Sequence, residues 1–370
     1  MNVTRRSFVG AAGVAAALGL AACGSSNASS SSSAGSAAGS AAAGSSAAST
    51  EVEAVNGFDP NDAKTVYVSP SWVKSVIDGN EDASKSYVLM EVGWGEVEDD
   101  TAYTEAHIPG AVHMNTDYIE EPEKWDYRTP EEFTELFKNY GITQDTTVIV
   151  YGAKGTDSAD DRMAWAALWA GVKNVKALDG GLEAWTAAGY DTETTVNDPK
   201  PTEEDFGVTI PAHPEYVLSI DEVKDKLAND QDFRLCSVRS YKEYCGETSG
   251  YSYIDRAGEP KGAVWAHDTD DGSYFIDGAT VTTDKINEYL KDYDASTDNS
   301  LAFYCGTGWR ATIPCLICYQ EGVKEFALYD GGWFEWQMDG ANEVQLGDPT
   351  KGDVQYVTVA DLSTDKAVKS

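Results

Sequence analysis

Positive charge is scarce in this sequence. Lys and Arg number 27 against 62 Asp and Glu, a formal net charge of −35 over 370 residues. Such an acidic chain repels phosphate backbones and anionic headgroups, which argues against nucleic acid and a bare membrane surface as partners. It also repels an anionic substrate at long range, although salt screens that repulsion beyond about 10 Å. Any anion must therefore be held by local donors. Histidine is rarer still. His107, His113, His213 and His267 are scattered without metal-ligand spacing, so neither a metal nor a cofactor is expected. Long apolar runs are missing too. The stretch after Phe8 is too short and too rich in small residues for a good transmembrane helix.

That stretch reads instead as an export signal. Thr4-Arg5-Arg6-Ser7-Phe8 is a twin-arginine pattern, and Leu20-Ala21-Ala22-Cys23 resembles a lipoprotein cleavage box. Residues 1–23 are expected to be the signal, with Cys23 lipidated. Loss of residues 1–22 removes Arg5 and Arg6 and brings the charge near −37. Gly24 to Thr50 is almost all Ser, Ala and Gly, so 24–55 reads as a flexible tether. The expected location is the outer face of the cell membrane, or the periplasm, with membrane contact only through the lipid.

Roughly three hundred residues remain, enough for two ordinary domains. In the first half, Ser69-Pro70 starts a helix with Trp72, Val73, Val76 and Ile77 on one face. Thr129-Pro130-Glu131-Glu132 is a capping box before Phe133, Leu136, Phe137 and Tyr140. Tyr87 to Val92 and Val148 to Tyr151 read as buried strands, and Ala164, Trp165, Leu168 and Trp169 as a helix face. The second half repeats the plan from Ser219-Ile220-Asp221-Glu222, with strands at Phe233 to Val238, Leu301 to Tyr304 and Ala327 to Tyr329. Strands alternating with helices predict α/β domains with mainly parallel sheets, over 66–195 and 210–346.

An internal repeat fixes the register. Val148-Ile149-Val150-Tyr151-Gly152 aligns with Leu301-Ala302-Phe303-Tyr304-Cys305, and Asp179-Gly180-Gly181 with Asp330-Gly331-Gly332, each followed by Trp six residues after its Asp. Gly152 therefore stands where the second half has Cys305. Behind Cys305 run Gly306, Thr307, Gly308, Trp309 and Arg310, then helical spacing from about Arg310. A cysteine at a strand end, under a glycine-bearing turn and before a helix, has backbone N–H dipoles to favour its thiolate. Cys305 is the expected nucleophile. Arg310 adds a positive charge, and its removal is expected to weaken use of an anionic donor more than folding.

The Cys-Gly-Thr-Gly-Trp-Arg loop resembles the active-site loop of the rhodanese family of sulfurtransferases. Ala327 to Trp336 looks like that family's closing motif, and Ala106 to Val112 like its other signature. The resemblance implies two tandem rhodanese-like domains, the first silent and the second catalytic. It implies a persulfide on Cys305, held by the loop amides, that carries sulfur from a small anionic donor such as thiosulfate to cyanide, a thiol or a protein acceptor. 3-Mercaptopyruvate is an alternative donor, and a non-catalytic sulfur carrier an alternative role. A cysteine phosphatase needs five residues between Cys and Arg; here there are four.

The second half departs from the family pattern in three places. Ser237 replaces the acidic residue that the first half keeps as Glu91. Glu259-Pro260-Lys261-Gly262 replaces His-Ile-Pro-Gly. An insertion of eleven residues carries Tyr251, Tyr253 and Arg256. This inserted loop is expected either to cover the site or to decorate the surface. Arg239 and Arg256 are candidate substrate contacts, with a structural ion pair as the alternative for Arg239. Cys315 and Cys318 read as small residues on a buried helix face. Cys236 and Cys245 are candidates to pair with each other.

Overall fold

The computed structural model describes residues 52–155, 157–267 and 274–369. The expected signal and nearly all of the expected tether lie outside them.

The first domain runs β1 (Tyr67–Val68), α1 (Pro70–Ile77), β2 (Tyr87–Gly93), α2 (Thr101–Glu105), β3 (Val112–Asn115), α3 (Pro130–Tyr140), β4 (Thr147–Tyr151), α4 (Ala159–Ala170), β5 (Asn174–Leu178) and α5 (Gly181–Ala187). Its sheet is parallel throughout, in the order β1-β5-β4-β2-β3. The second domain repeats this with β6 (Val217–Leu218), α6 (Ile220–Asn229), β7 (Phe233–Ser237), α7 (Tyr241–Tyr244), β8 (Glu259–Pro260), β9 (Val264–Trp265), β10 (Phe275–Ile276), β11 (Ala279–Thr280), α8 (Thr283–Leu290), β12 (Ser300–Tyr304), α9 (Thr312–Gln320), β13 (Phe326–Tyr329), α10 (Gly332–Trp336), β14 (Glu343–Leu346) and β15 (Gln355–Thr358). Its parallel sheet is ordered β6-β13-β12-β7-β9. The α/β tandem architecture is the expected one.

The capping signals act as chemistry dictates. Thr129 Oγ1 accepts the Glu132 N–H, Glu132 returns its carboxylate to the Thr129 N–H at 3.0 Å, and Gly141 ends the helix at φ +70°. Ser219 and Glu222 do the same for α6. One helix departs from its amphipathic reading. All twelve residues of α4 are buried, charged Asp160, Asp161 and Arg162 included. It lies between its own sheet and α9 of the second domain, so no face is left for water. The same burial explains Cys315 and Cys318 on α9.

The repeat extends to the way the domains clasp each other. Before α3 the first domain reaches across, and the Tyr127 N–H donates to Asp330 at 2.7 Å. Before α8 the second domain reaches back, and the Thr280 N–H donates to Asp179 at 3.1 Å. Both donors lie two residues ahead of their helix N-caps, Thr129 and Thr282. Each domain thus supplies a wall of the other's Asp-Gly-Gly site.

A candidate active site at Cys305

β12 delivers Cys305 from the middle of the second sheet, between β7 and β13, and the residue is 1% exposed. The loop is tied from below. The carbonyls of Cys305 and Gly306 accept the N–H groups of Trp333 and Phe334, each at 2.9 Å. This close approach explains the second glycine of Asp-Gly-Gly: Gly332 sits at φ +54°, and a Cβ there would stand 2.7 Å from both carbonyl oxygens. Gly308 at the loop tip has φ +81°, with Arg162 Nη1 2.7 Å from where its Cβ would be. The helix starts at Thr312 rather than near Arg310. The Thr312 N–H and hydroxyl both donate to the Trp309 carbonyl, which holds residues 309–311 in a turn.

Arg310 departs from its expected role. Its two terminal nitrogens pair with both oxygens of Glu243, at 3.0 and 2.9 Å, and Nη2 also donates to Tyr251 Oη at 2.7 Å. Its charge is shared with a buried carboxylate rather than offered whole to an anion. Arg239 departs further. It is fully buried, with Nε on Glu243, Nη1 on Glu259 at 2.6 Å and on the Gly258 carbonyl, and Nη2 on the Ser249 carbonyl. The structural ion pair is the observed alternative, and the reading of Arg239 as a substrate contact is corrected. Arg256 is different: its Nε is buried with no hydrogen-bond partner, while its carbonyl accepts from Trp333 Nε1 at 2.9 Å.

The inserted loop does cover the site. Tyr251 is buried, and its hydroxyl accepts the Gly306 N–H at 3.2 Å. Beyond it Trp125 of the first domain packs against Tyr253 and Phe334, with ring centroids 4.8 and 4.7 Å away. The loop is itself strapped down. Ser249 N–H donates to the Lys366 carbonyl, Lys366 N–H to Asp255, and Val368 N–H to Tyr251.

The missing acid of the second domain has been supplied from elsewhere. In the first domain Glu91 lies opposite Tyr151 across β2 and β4, and burial pushes its carboxyl up to about 8. Ser237 lies opposite Tyr304 in the same register. The Tyr304 hydroxyl bonds instead to Glu259, from the altered signature, whose other oxygen holds Arg239. Loss of the strand acid and loss of His-Ile-Pro-Gly are thus two halves of one exchange.

Burial alone would raise the Glu243 carboxyl, but Arg310 and Arg239 outweigh it and hold it at about 2. Burial pushes the Tyr251 phenol well up, Arg310 opposes, and Cys305 and Glu243 add to the rise. Sequence reasoning missed Glu243, Glu120 and Arg162 and gave Tyr251 no role. Only Glu243 carried a usable signal, the Ser240-Tyr-Lys-Glu243 capping box, which the structure forms.

The other thiols stand apart. Cys236, Cys245, Cys315 and Cys318 are free, so Cys236 and Cys245 do not form the disulfide considered for them. Burial drives the Cys236, Cys315 and Cys318 thiols up, away from the thiolate. Among the described residues, no group of three His, Cys, Asp or Glu is placed to hold a metal ion.

Two stretches, 72–188 and 219–339, match the family model of the rhodanese-like domain. The chain belongs to the rhodanese family. It is 36% identical over 289 residues to thiosulfate sulfurtransferase YnjE of Escherichia coli (strain K12), a match covering 76% of this chain and 65% of that relative. It is 28% identical over 324 residues to the thiosulfate sulfurtransferase of Corynebacterium glutamicum, covering 80% and 98%. The crystal structure of YnjE superposes with a TM-score of 0.71 at 36% identity, covering 76% of this chain and 68% of that one. The wild-type structure of EanB gives 0.70 at 34% identity, covering 76% and 69%. The second family match contains the Cys305 loop, and the first contains Gly152 in its place.

Proposed function

We propose that this rhodanese is a thiosulfate sulfurtransferase working through a persulfide on Cys305. The observation that carries the reading is Cys305 itself, a buried cysteine at a parallel strand's end, followed by a glycine turn and a helix. The Cys305 thiolate attacks the outer sulfur of thiosulfate. A sulfur–sulfur bond forms to Cys305, the donor's own sulfur–sulfur bond breaks, and sulfite leaves with the electron pair. A thiol, cyanide or protein acceptor then attacks the outer sulfur, and Cys305 returns as thiolate. The loop amides of Thr307 to Arg310 stabilise the anionic persulfide; one such donor is typically worth about 3 kcal/mol. Arg256 is the cation assigned to the donor's oxygens. The first domain carries no nucleophile at Gly152.

The test is mass spectrometry of the protein after thiosulfate treatment. One sulfur atom should be added to the Cys305 peptide and lost on addition of cyanide, and Cys305→Ser should abolish both. A sulfur on Cys315 or Cys318 with Cys305 unmodified refutes the assignment. 3-Mercaptopyruvate serves as the second donor in the same assay. Stoichiometric loading without turnover would identify a sulfur carrier instead.

A second reading concerns the acceptor. EanB, similar in structure, is described in complexes with hercynine and with ergothioneine. The Trp125, Tyr253 and Phe334 cluster beside this loop favours a small organic acceptor of that kind. Loss of the Cys305 persulfide on addition of hercynine, with sulfur appearing in that molecule, would support it; an unchanged persulfide would refute it.

Residues 1–23 are proposed to export the protein and leave Cys23 acylated, with 24–55 as the tether. The twin-arginine pattern and the cleavage box support this. No helix among the described residues is long and apolar enough to cross a membrane.

A further inference from the structure

The silent first domain places a fully buried arginine against the catalytic loop. Arg162 lies in the first turn of α4 and is 0% exposed. Its Nη1 stands 2.5 Å from Asp330 Oδ1, its Nε donates to Glu120 Oε1 at 3.2 Å, and its Nη2 to the Trp125 carbonyl at 3.0 Å. Glu120, 2% exposed, also accepts from Trp309 Nε1 at 2.6 Å. One guanidinium therefore bridges the acid opening the Asp-Gly-Gly turn beneath the loop and the acid gripping the loop's tryptophan. It also fills the space a Cβ on Gly308 would take.

Internal symmetry supplies the control. Arg162 lies seventeen residues before Asp179, and Ile313 seventeen before Asp330. Ile313 takes the matching place on α9, lining the small space beside Gly155 and Asp179 at the silent site. An apolar side chain suffices where no loop has to be held. An arginine is present where one does. Burying a charge only to glue two domains is costly, and an apolar pair of similar size would often serve as well.

We propose that Glu120 and Arg162 are positioning residues for sulfur transfer. The first domain braces the loop of the second, so that the Gly308 and Trp309 amides are fixed on the outer sulfur before it arrives. Preorganised donors of this kind are effective because they need no reorganisation during the reaction. The inference rests on the Cys305 persulfide reading, and its test keeps the two apart.

The test is a double-mutant cycle in the full-length protein, with Trp309→Phe, Glu120→Gln, Glu120→Ala and the Trp309→Phe/Glu120→Ala pair. Trp309→Phe removes one N–H donor and keeps a smaller aromatic side chain; Glu120→Gln keeps the acceptor oxygen and removes the charge. Two readouts are taken: the rate of sulfur loading from thiosulfate, and the pH profile of Cys305 alkylation by iodoacetamide, which needs no sulfur donor. Trp309→Phe and Glu120→Ala should each slow loading by about tenfold and shift the alkylation profile to higher pH, with Glu120→Gln largely rescued. The pair should be no worse than Glu120→Ala alone, because that substitution already removes the Trp309 contact along with the one to Arg162. Unchanged alkylation profiles in Trp309→Phe and Glu120→Ala, with only the melting temperature lowered, would overturn the proposal. If the parent protein alkylates at Cys305 but never loads sulfur, the persulfide reading fails, and the alkylation profiles still decide the brace.

Discussion

At the scale of the residue, Arg310 shows where sequence reading stops. The Cys-Gly-Thr-Gly-Trp-Arg pattern gave the cysteine's place at the strand end and the arginine's nearness, since both are fixed by the local turn. It did not give the arginine's partner, because Glu243 arrives from sixty-seven residues away. The expected consequence of Arg310→Ala therefore reverses. Removing it leaves buried Glu243 with Arg239 as ion partner beside the Ser240 N–H, and breaking a buried pair costs about 3–5 kcal/mol. The melting temperature should fall steeply, and donor affinity measured on the protein that remains folded should change less. The same cluster sets an acid limit. Glu243 is held at about 2 against an ordinary 4.5. A depressed carboxyl contributes its stability above the unfolded value and loses it as pH falls through the folded one. About 3 kcal/mol should therefore disappear between about pH 4.5 and 2. Urea unfolding at pH 6, 4 and 3 reads this directly. Glu243→Gln should be less stable at pH 6 and lose less on acidification; an equal acid loss in both proteins would place the titration elsewhere.

At the scale of the element, strands and helices were legible wherever period and caps agreed, as in α3 and α6. α4 was legible as a helix but not as a buried one, because its outer face meets another domain. The inserted loop was legible only as extra length. Its covering role depends on Tyr251 reaching Gly306 and on residues 366–368 running beside it, and neither pairing leaves a local signature. A stop after Ser363 should release the loop while leaving β14 and β15 in place. Iodoacetamide should then alkylate Cys305 faster, with the midpoint of unfolding little changed. Unaltered alkylation would mean that the strap does not hold the cover. The loop at Gly152 offers the complementary case. A Cβ on Gly152 would lie 2.8 Å from Asp157 Cβ and 3.1 Å from Asp160 Oδ1, and burial together with its acidic neighbours already drives Asp160 far up. Gly152→Cys should add no second persulfide in the mass spectrum, because a thiolate there faces carboxylates that disfavour its charge. A second added sulfur on that peptide would show that the loop can adapt.

At the scale of the whole molecule, the repeat made the two-domain plan legible, but not why a domain without a nucleophile is kept. Its walls answer that. Tyr127, Glu120 and Arg162 complete the second site, just as Thr280 and Ile313 close the first, so neither site is whole in one domain. The clasp also bears on the charge problem. A chain at −35 repels the anion it is proposed to use, and the few buried cations near Cys305 are mostly paired with carboxylates. Screening limits that repulsion to about 8 Å at physiological salt, and a lipid on Cys23 with a Ser/Ala/Gly tether would keep the acidic body off a like-charged membrane. Cys23→Ala should therefore move the protein from the membrane pellet to the soluble fraction, or leave the precursor unprocessed, while thiosulfate loading of the folded domains stays as before. Continued sedimentation of a processed Cys23→Ala protein with membranes would refute the lipid anchor. Loss of loading in a soluble Cys23→Ala protein would instead tie catalysis to the membrane.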